Sequence, residues 1–168
     1  MRMIRHLAGV LAIVAAAVVA PIAQAETNDL NYTYRFSLAV ESAQTETELA
    51  DGVAARLGEL FPFDSTCTTL PPTGQRCDFT AQAEFAELGA ANPVLVVDRV
   101  ENGWTFRTLK EHSEGPDRYI AFRFENNEDS LALSVRSTGP SLTTGTTILN
   151  GTAQKVWQRF ATNISAGF

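Results

Sequence analysis

Histidine, carboxylate and cysteine side chains carry most acid–base, metal and redox chemistry, and this chain is sparing with two of the three. It has two histidines, His6 and His112, and two cysteines, Cys67 and Cys77. His112 lies in Lys110-Glu111-His112-Ser113-Glu114-Gly115-Pro116-Asp117. An imidazole among Glu111, Glu114 and Asp117 has the donor types of an acid–base or metal site. A metal site needs three or four convergent ligands, and neighbours in a single hairpin loop point apart. The spacing therefore predicts a solvated loop tip and no metal. Glu125, Glu128 and Asp129 gather a second set of oxygens in Glu125-Asn126-Asn127-Glu128-Asp129-Ser130. A calcium loop alternates its oxygen ligands and turns on a glycine, and this run has none.

Nucleophilic catalysis has little to work with. No serine stands in a Gly-x-Ser-x-Gly turn, and a triad would have to recruit His112 from a loop. Cys67 and Cys77 flank Pro71-Pro72-Thr73-Gly74, a run that turns the chain back on itself. Redox cysteines favour C-x-x-C at a helix start, whereas a lone pair at this spacing in an exported chain reads as a structural disulfide. Closing so short a loop contributes roughly 3 kcal/mol on the chain-entropy account. Nothing in the sequence calls for a cofactor.

Export is expected from the N-terminus. Arg2 and Arg5 precede an apolar run, Leu7 to Ala20, then Pro21 and the small-x-small site Ala23-Gln24-Ala25. This is the layout of a cleavable secretory signal, bacterial in style. The run is shorter than the roughly 20 residues that span a bilayer, so no membrane segment is expected after cleavage. Residues 1–25 are read as the signal and 26–168 as a single domain. Cleavage removes two arginines and no acid, so the mature part carries 11 basic and 19 acidic residues, a net charge of −8. That charge repels phosphate backbones and excludes nucleic acid as a natural partner. The expected location is secreted, periplasmic or envelope-bound.

The positions of any site are set by regular elements. From Asn31 to Glu41, Tyr32, Tyr34, Phe36, Leu38 and Val40 alternate with polar residues, the period of a half-buried strand. Leu49, Val53, Leu57, Leu60 and Phe61 then recur at helical spacing, and Thr45 with Glu48 forms a capping box. One helix is predicted from about Glu46 to Phe61, stopped by Pro62. Strands are predicted over Ser65–Leu70, Cys77–Phe85, Val94–Glu101, Trp104–Lys110, Arg118–Glu125 and Leu131–Ser137. Asn102-Gly103 reads as a type I′ turn, which sets Asp98 opposite Arg107. Leu149, Ala153, Val156, Trp157, Phe160 and Ile164 mark a last helix, starting near Thr146 or only at Thr152.

Strand, helix, about six strands, helix is an α+β order. Meandering neighbours pair antiparallel, giving one curved antiparallel sheet of about six to seven strands packed on the first helix and a long C-terminal helix. In element order and length the chain resembles the helix-grip fold of the START-like superfamily, with a cystatin-like or nuclear-transport-factor-like sheet as the competing layout. The resemblance carries over no functional residue. It implies a cavity between sheet and last helix where relatives hold apolar ligands, and Trp104, Phe106, Phe122, Trp157 and Phe160 are its candidate lining.

Two readings of function follow. In the first, an exported, non-enzymatic binding protein engages a protein or envelope component through its surface, with Phe61, Phe63 and His112 as candidate contacts. In the alternative, the domain carries a lipid or other apolar small molecule in the cavity. An enzyme with an unrecognised carboxylate pair is more distant.

Overall fold

The computed structural model of the chain describes residues 31–40, 43–88, 91–127, 130–140 and 151–168. The expected export signal, and the acids Glu128 and Asp129, lie outside them. Alternation governs the first element as expected. Strand β1, Tyr32–Leu38, buries Tyr32, Tyr34, Phe36 and Leu38 and exposes Thr33, Arg35 and Ser37. Helix α1, Glu46–Ala55, opens on the predicted capping box, with the Thr45 hydroxyl accepting from Glu48 N at 3.2 Å and the Glu48 carboxylate accepting from Thr45 N at 2.9 Å.

The single predicted helix is broken. Arg56, at φ −122° and ψ 27°, separates α1 from a short α2, Leu57–Leu60. The cause is the segment that follows, which folds back and takes over the helix's backbone groups. Gly58 N donates to Thr68 O at 3.0 Å, and Leu70 N donates to Ala54 O at 2.7 Å. The returning chain lies so close that a Cβ on Gly58 would meet Cys67 O at 2.7 Å. Pro62 then ends the helical stretch, with Phe61 extended at ψ 143°.

The remaining strands are β2 (Asp64–Ser65), β3 (Arg76–Thr80), β4 (Asn92–Val100), β5 (Gly103–Thr108), β6 (Tyr119–Asn127) and β7 (Ser130–Thr138). All seven form one antiparallel, curled sheet in the order β1-β7-β6-β5-β4-β3-β2. Helix α3, Thr152–Gly167, lies against it, burying Ala153, Val156, Trp157, Phe160 and Ile164. Gly151 precedes α3 at φ 73°, a left-handed conformation that cannot continue a helix inward, so the helix starts at Thr152. The architecture is α+β and helix-grip-like.

Three local expectations are corrected. The predicted strand Ser65–Leu70 shrinks to β2, because after Thr66, whose N–H still reaches Asp78 O of β3, the backbone bonds to α1 and α2 instead. The predicted strand Cys77–Phe85 stops at Thr80 and passes into a 3₁₀ turn, Ala83–Leu88, which still buries Phe85. In the β4–β5 hairpin the turn residues are Glu101 and Asn102, since Val100 faces Gly103, and the register shifts again between Val96 and Asp98. Asp98 consequently faces Thr105, Arg107 faces Leu95, and the expected Asp98–Arg107 pair does not form. Gly103 serves close approach rather than the turn, for a Cβ there would overlap the Phe122 carbonyl oxygen of β6.

Cys67 and Cys77 are joined, with their Cα atoms 5.8 Å apart, tying the segment after α2 to β3. The inner face of the sheet and the three helices share one apolar core with aromatic rings at its centre. Phe61 stacks on Phe79 at 4.2 Å and meets Phe160 edge-on at 5.1 Å, while Trp104 stacks on Phe122 at 5.5 Å. Replacing Gly103 with Ala is expected to destabilise the fold by about 1–3 kcal/mol, because β5 must move off β6. Urea unfolding checks it, and an unchanged midpoint would show that the strands have room there.

Candidate functional site

The eight-residue polar loop after β5 is the least ordinary part of the molecule. Its backbone folds on itself and on the sheet: His112 N donates to Leu109 O at 3.1 Å, Gly115 N to His112 O at 2.8 Å, and Leu109 N to Pro93 O at 3.0 Å. Thr108 pins its base, the hydroxyl donating to Gly115 O at 2.6 Å and accepting from Arg118 N at 2.9 Å. The middle of the loop packs inward, while Lys110, Glu111, Pro116 and Asp117 stay exposed, so only part of it is the expected solvated tip. Glu114 is 4% exposed and Arg118 is fully buried.

Burying a charge is costly unless it is paired and hydrogen-bonded, and here both conditions are met. Arg118 Nε lies 3.2 Å from Glu114 Oε2. The Ser137 hydroxyl donates to the same oxygen at 2.9 Å and accepts from Arg118 Nη2 at 3.0 Å. Arg118 Nη1 donates to Gly139 O. The other carboxylate oxygen, Glu114 Oε1, accepts from the Tyr32 hydroxyl at 2.6 Å, and that hydroxyl in turn accepts from Trp157 Nε1 at 2.9 Å. One chain of bonds thus joins the loop, β1, β7 and α3. Burial, and then the Glu114 charge, hold the Tyr32 hydroxyl well above the usual phenol range, so Tyr32 is a permanent donor.

His112 stands beside this network as a neutral imidazole. Glu114 N donates to its Nδ1 at 3.1 Å, which leaves the ring proton on Nε2. Burial, and then the nearby Arg118 charge, push its pKa down to about 3.

Between the loop, the sheet and the first two turns of α3 lies a cavity. Phe61, Phe63, Phe79, Phe106, Ile120 and Trp157 form its apolar wall, and Asn92, His112, Ser113 and Glu114 its polar end. The space open to water centres is about 20 Å³, enough for about one water molecule. Asn92 is buried at the polar end. Its Oδ1 accepts from Ser113 N at 3.3 Å and from the Ser113 hydroxyl at 2.5 Å, which fixes the amide's orientation. Its Nδ2 is buried with no protein partner.

Of the five aromatics proposed as lining, Phe106 and Trp157 line the cavity, while Trp104, Phe122 and Phe160 pack within the core. Phe61 and Phe63, proposed as surface contacts, are 6% and 5% exposed, because the chain after Pro62 turns into the sheet rather than away from it. They belong to the cavity wall. His112, the third proposed contact, faces the same cavity. Glu125 stands on β6, 3.8 Å from Arg35. Among the described residues no three His, Cys, Asp or Glu side chains converge as a metal site, and no helix is long and apolar enough to cross a membrane.

Asn92, Tyr32, Ser137 and Arg118 were not singled out as polar site residues by sequence. A single signal pointed their way: an arginine opening an otherwise apolar alternation at Arg118, Ile120, Phe122 and Phe124, on the inward phase.

Three solved structures show the same architecture. A protein from Mesorhizobium loti matches with a TM-score of 0.58 at 12% identity, covering 81% of this chain and 94% of its own. The Aha1 dimer from Colwellia psychrerythraea matches at 0.59 and 10% identity, over 82% and 97%. A protein from Mycobacterium smegmatis matches at 0.56 and 15% identity, over 82% and 89%. At such identities the likeness concerns the fold alone. No protein-family model matches the chain. No curated protein matches it either.

Replacing Arg118 with Met is expected to destabilise the domain by about 3–5 kcal/mol, because it removes the guanidinium that faces the buried Glu114 carboxylate. The double variant Arg118→Met with Glu114→Gln is expected to recover part of that loss in denaturant titration. Losses that simply add would show that the two groups act independently. The His112 shift sets a pH dependence with a definite sign. Between about pH 6.5 and pH 3 the unfolded chain binds a proton at His112 that the folded chain refuses, so stability falls as pH is lowered through that window. The slope from this group is at most about 1.4 kcal/mol per pH unit. Comparing melting of the natural chain and His112→Gln from pH 7 to pH 4 isolates it, and parallel curves would refute it.

Proposed function

We propose that the protein is an exported binding protein of the START-like superfamily. On this reading it holds a small, largely apolar molecule beneath α3, with a hydrogen-bond-accepting end of that molecule at Asn92. The observation that carries the reading is the Asn92 amide. A buried donor with no partner costs roughly 1–3 kcal/mol, and this one lines the polar end of an otherwise aromatic cavity. An acceptor atom delivered there would remove that penalty. The neutral His112, with its proton on Nε2, adds a second donor-type group at the same end. Export rests on the apolar run Leu7 to Ala20 and on the Cys67–Cys77 bridge, which an oxidising compartment favours.

The cavity must widen to admit a molecule larger than water. The first turn of α3 is the natural place, since its N-cap, Gly151, supplies no side chain to the helix end. Ala153, Val156 and Trp157 all face the cavity from that end of the helix. Phe61 and Phe63 are both buried, which favours the cavity over a surface partner held at these two rings.

Native and denatured masses of the exported, gently purified chain provide the test. A small molecule that leaves on denaturation is expected from the natural chain. It is expected to be absent from a Val156→Phe variant that still melts cooperatively, because the added ring occupies the cavity. A bare polypeptide mass together with an organic extract free of bound compounds would overturn the reading.

A further inference from the structure

The outer face of the sheet carries a feature that the cavity does not explain. Residues directly opposite on neighbouring strands share a face, and the pairings run across four strands. Arg107 of β5 faces Tyr119 of β6, which faces Thr138 of β7. One step along, Thr105 faces Ala121, Ala121 faces Arg136, and Arg136 faces Thr33 of β1. One step further, Arg123 faces Ser134, which faces Arg35. Arg35, Arg107, Arg123 and Arg136 therefore share one face of the sheet, in a chain that is acidic overall. Arg35 and Arg123 are engaged at the rim: Arg35 donates to Asn126 O at 2.9 Å and lies 3.8 Å from Glu125, and Arg123 donates to Trp104 O and Phe122 O, each at 2.7 Å, and lies 3.7 Å from Asp98. Arg107 and Arg136, nearer the centre, form no ion pair among the described residues. Arg107 Nε is also buried without a hydrogen-bond partner. Between them stands Tyr119, 46% exposed and the exposed large hydrophobic residue among those described.

Like charges side by side on a sheet repel, and among the described residues no acid stands at the centre of this patch. Arginine and tyrosine at the centre, acids at the rim and, among the described residues, no lysine is the composition of a protein-binding surface rather than of a solvated one. We propose that this face, centred on Arg107, Tyr119 and Arg136, docks a carboxylate-rich segment of another protein. Guanidinium forks take carboxylates in bidentate fashion, and the tyrosine ring offers flat contact area between them. A second copy of this chain is a poor occupant, since a two-fold contact would set arginine against arginine. An anionic lipid surface draws only about 1 kcal/mol per basic residue, and the patch has a single exposed ring to insert.

The probe is a fluorescent glutamate-rich peptide, titrated against the folded chain at low salt and again at 0.5 M salt. Binding that weakens with salt is expected, and about tenfold weaker binding to the double variant Arg107→Gln, Arg136→Gln. The control Lys155→Gln, Arg159→Gln removes the same charge from the wet face of α3 and is expected to bind as the natural chain does. Should the patch double variant fail to fold, Arg136→Gln alone, at an exposed position, and Tyr119→Ala take its place. Equal weakening in patch and control variants would overturn the proposal, as would no binding at all. So would binding to phosphatidylglycerol vesicles without binding to the peptide.

Discussion

The ion pair between Glu114 and Arg118 is the constraint around which the rest is arranged. Two opposite charges sit where water hardly reaches, and each needs every hydrogen-bonding direction filled. The fillers come from distant parts of the chain: Tyr32 in β1, Ser137 in β7 and Gly139 just after it, and Trp157 of α3 through Tyr32. The apolar core is non-directional and would tolerate small slips between helix and sheet. The bonds to Glu114 would not, because each has one acceptable geometry. The pair thus specifies where α3 lies and where the loop ends, and by doing so it shapes the polar end of the cavity.

Much of the architecture was legible. Period-two aromatics in β1, the Thr45–Glu48 box, the stop at Pro62 and the stripe in α3 each follow from local chemistry acting over a few residues. So does the disulfide, whose partners were the two cysteines present. What local chemistry could not show was the competition between segments. The break at Arg56 exists because residues 68–70 return to claim backbone groups of α1 and α2, and nothing near Arg56 announces it. The hairpin register failed for the same reason: Gly103 was read as a turn residue, while its lack of a side chain answers to β6, twenty positions downstream.

The site was less legible than the fold. Loop 110–117 has the composition of a solvated turn, and a count of its charges gives no hint that Glu114 finds its counter-ion four residues on and its hydroxyl donor in β1. Aromatics were easy to place inside and impossible to sort between core and cavity wall, because both roles ask for the same periodicity. Phe61 and Phe63 show the limit most plainly. A Phe-Pro-Phe run at a helix end can point either way, and only the path of the chain after Pro62 decides.

Strand order has a kinetic meaning of its own. β1 lies at the edge of the sheet, and its one strand neighbour is β7, about a hundred residues later, with α3 packed alongside. A chain made from its N-terminus must wait for β7 before β1 can be paired, and for α3 before it is covered. Contacts so far apart in sequence slow folding. Until they form, Tyr32, Tyr34, Phe36 and Leu38 stand on an open strand edge that invites pairing with other chains. The interval between synthesis of β1 and arrival of β7 is therefore when these four apolar side chains lack their native cover.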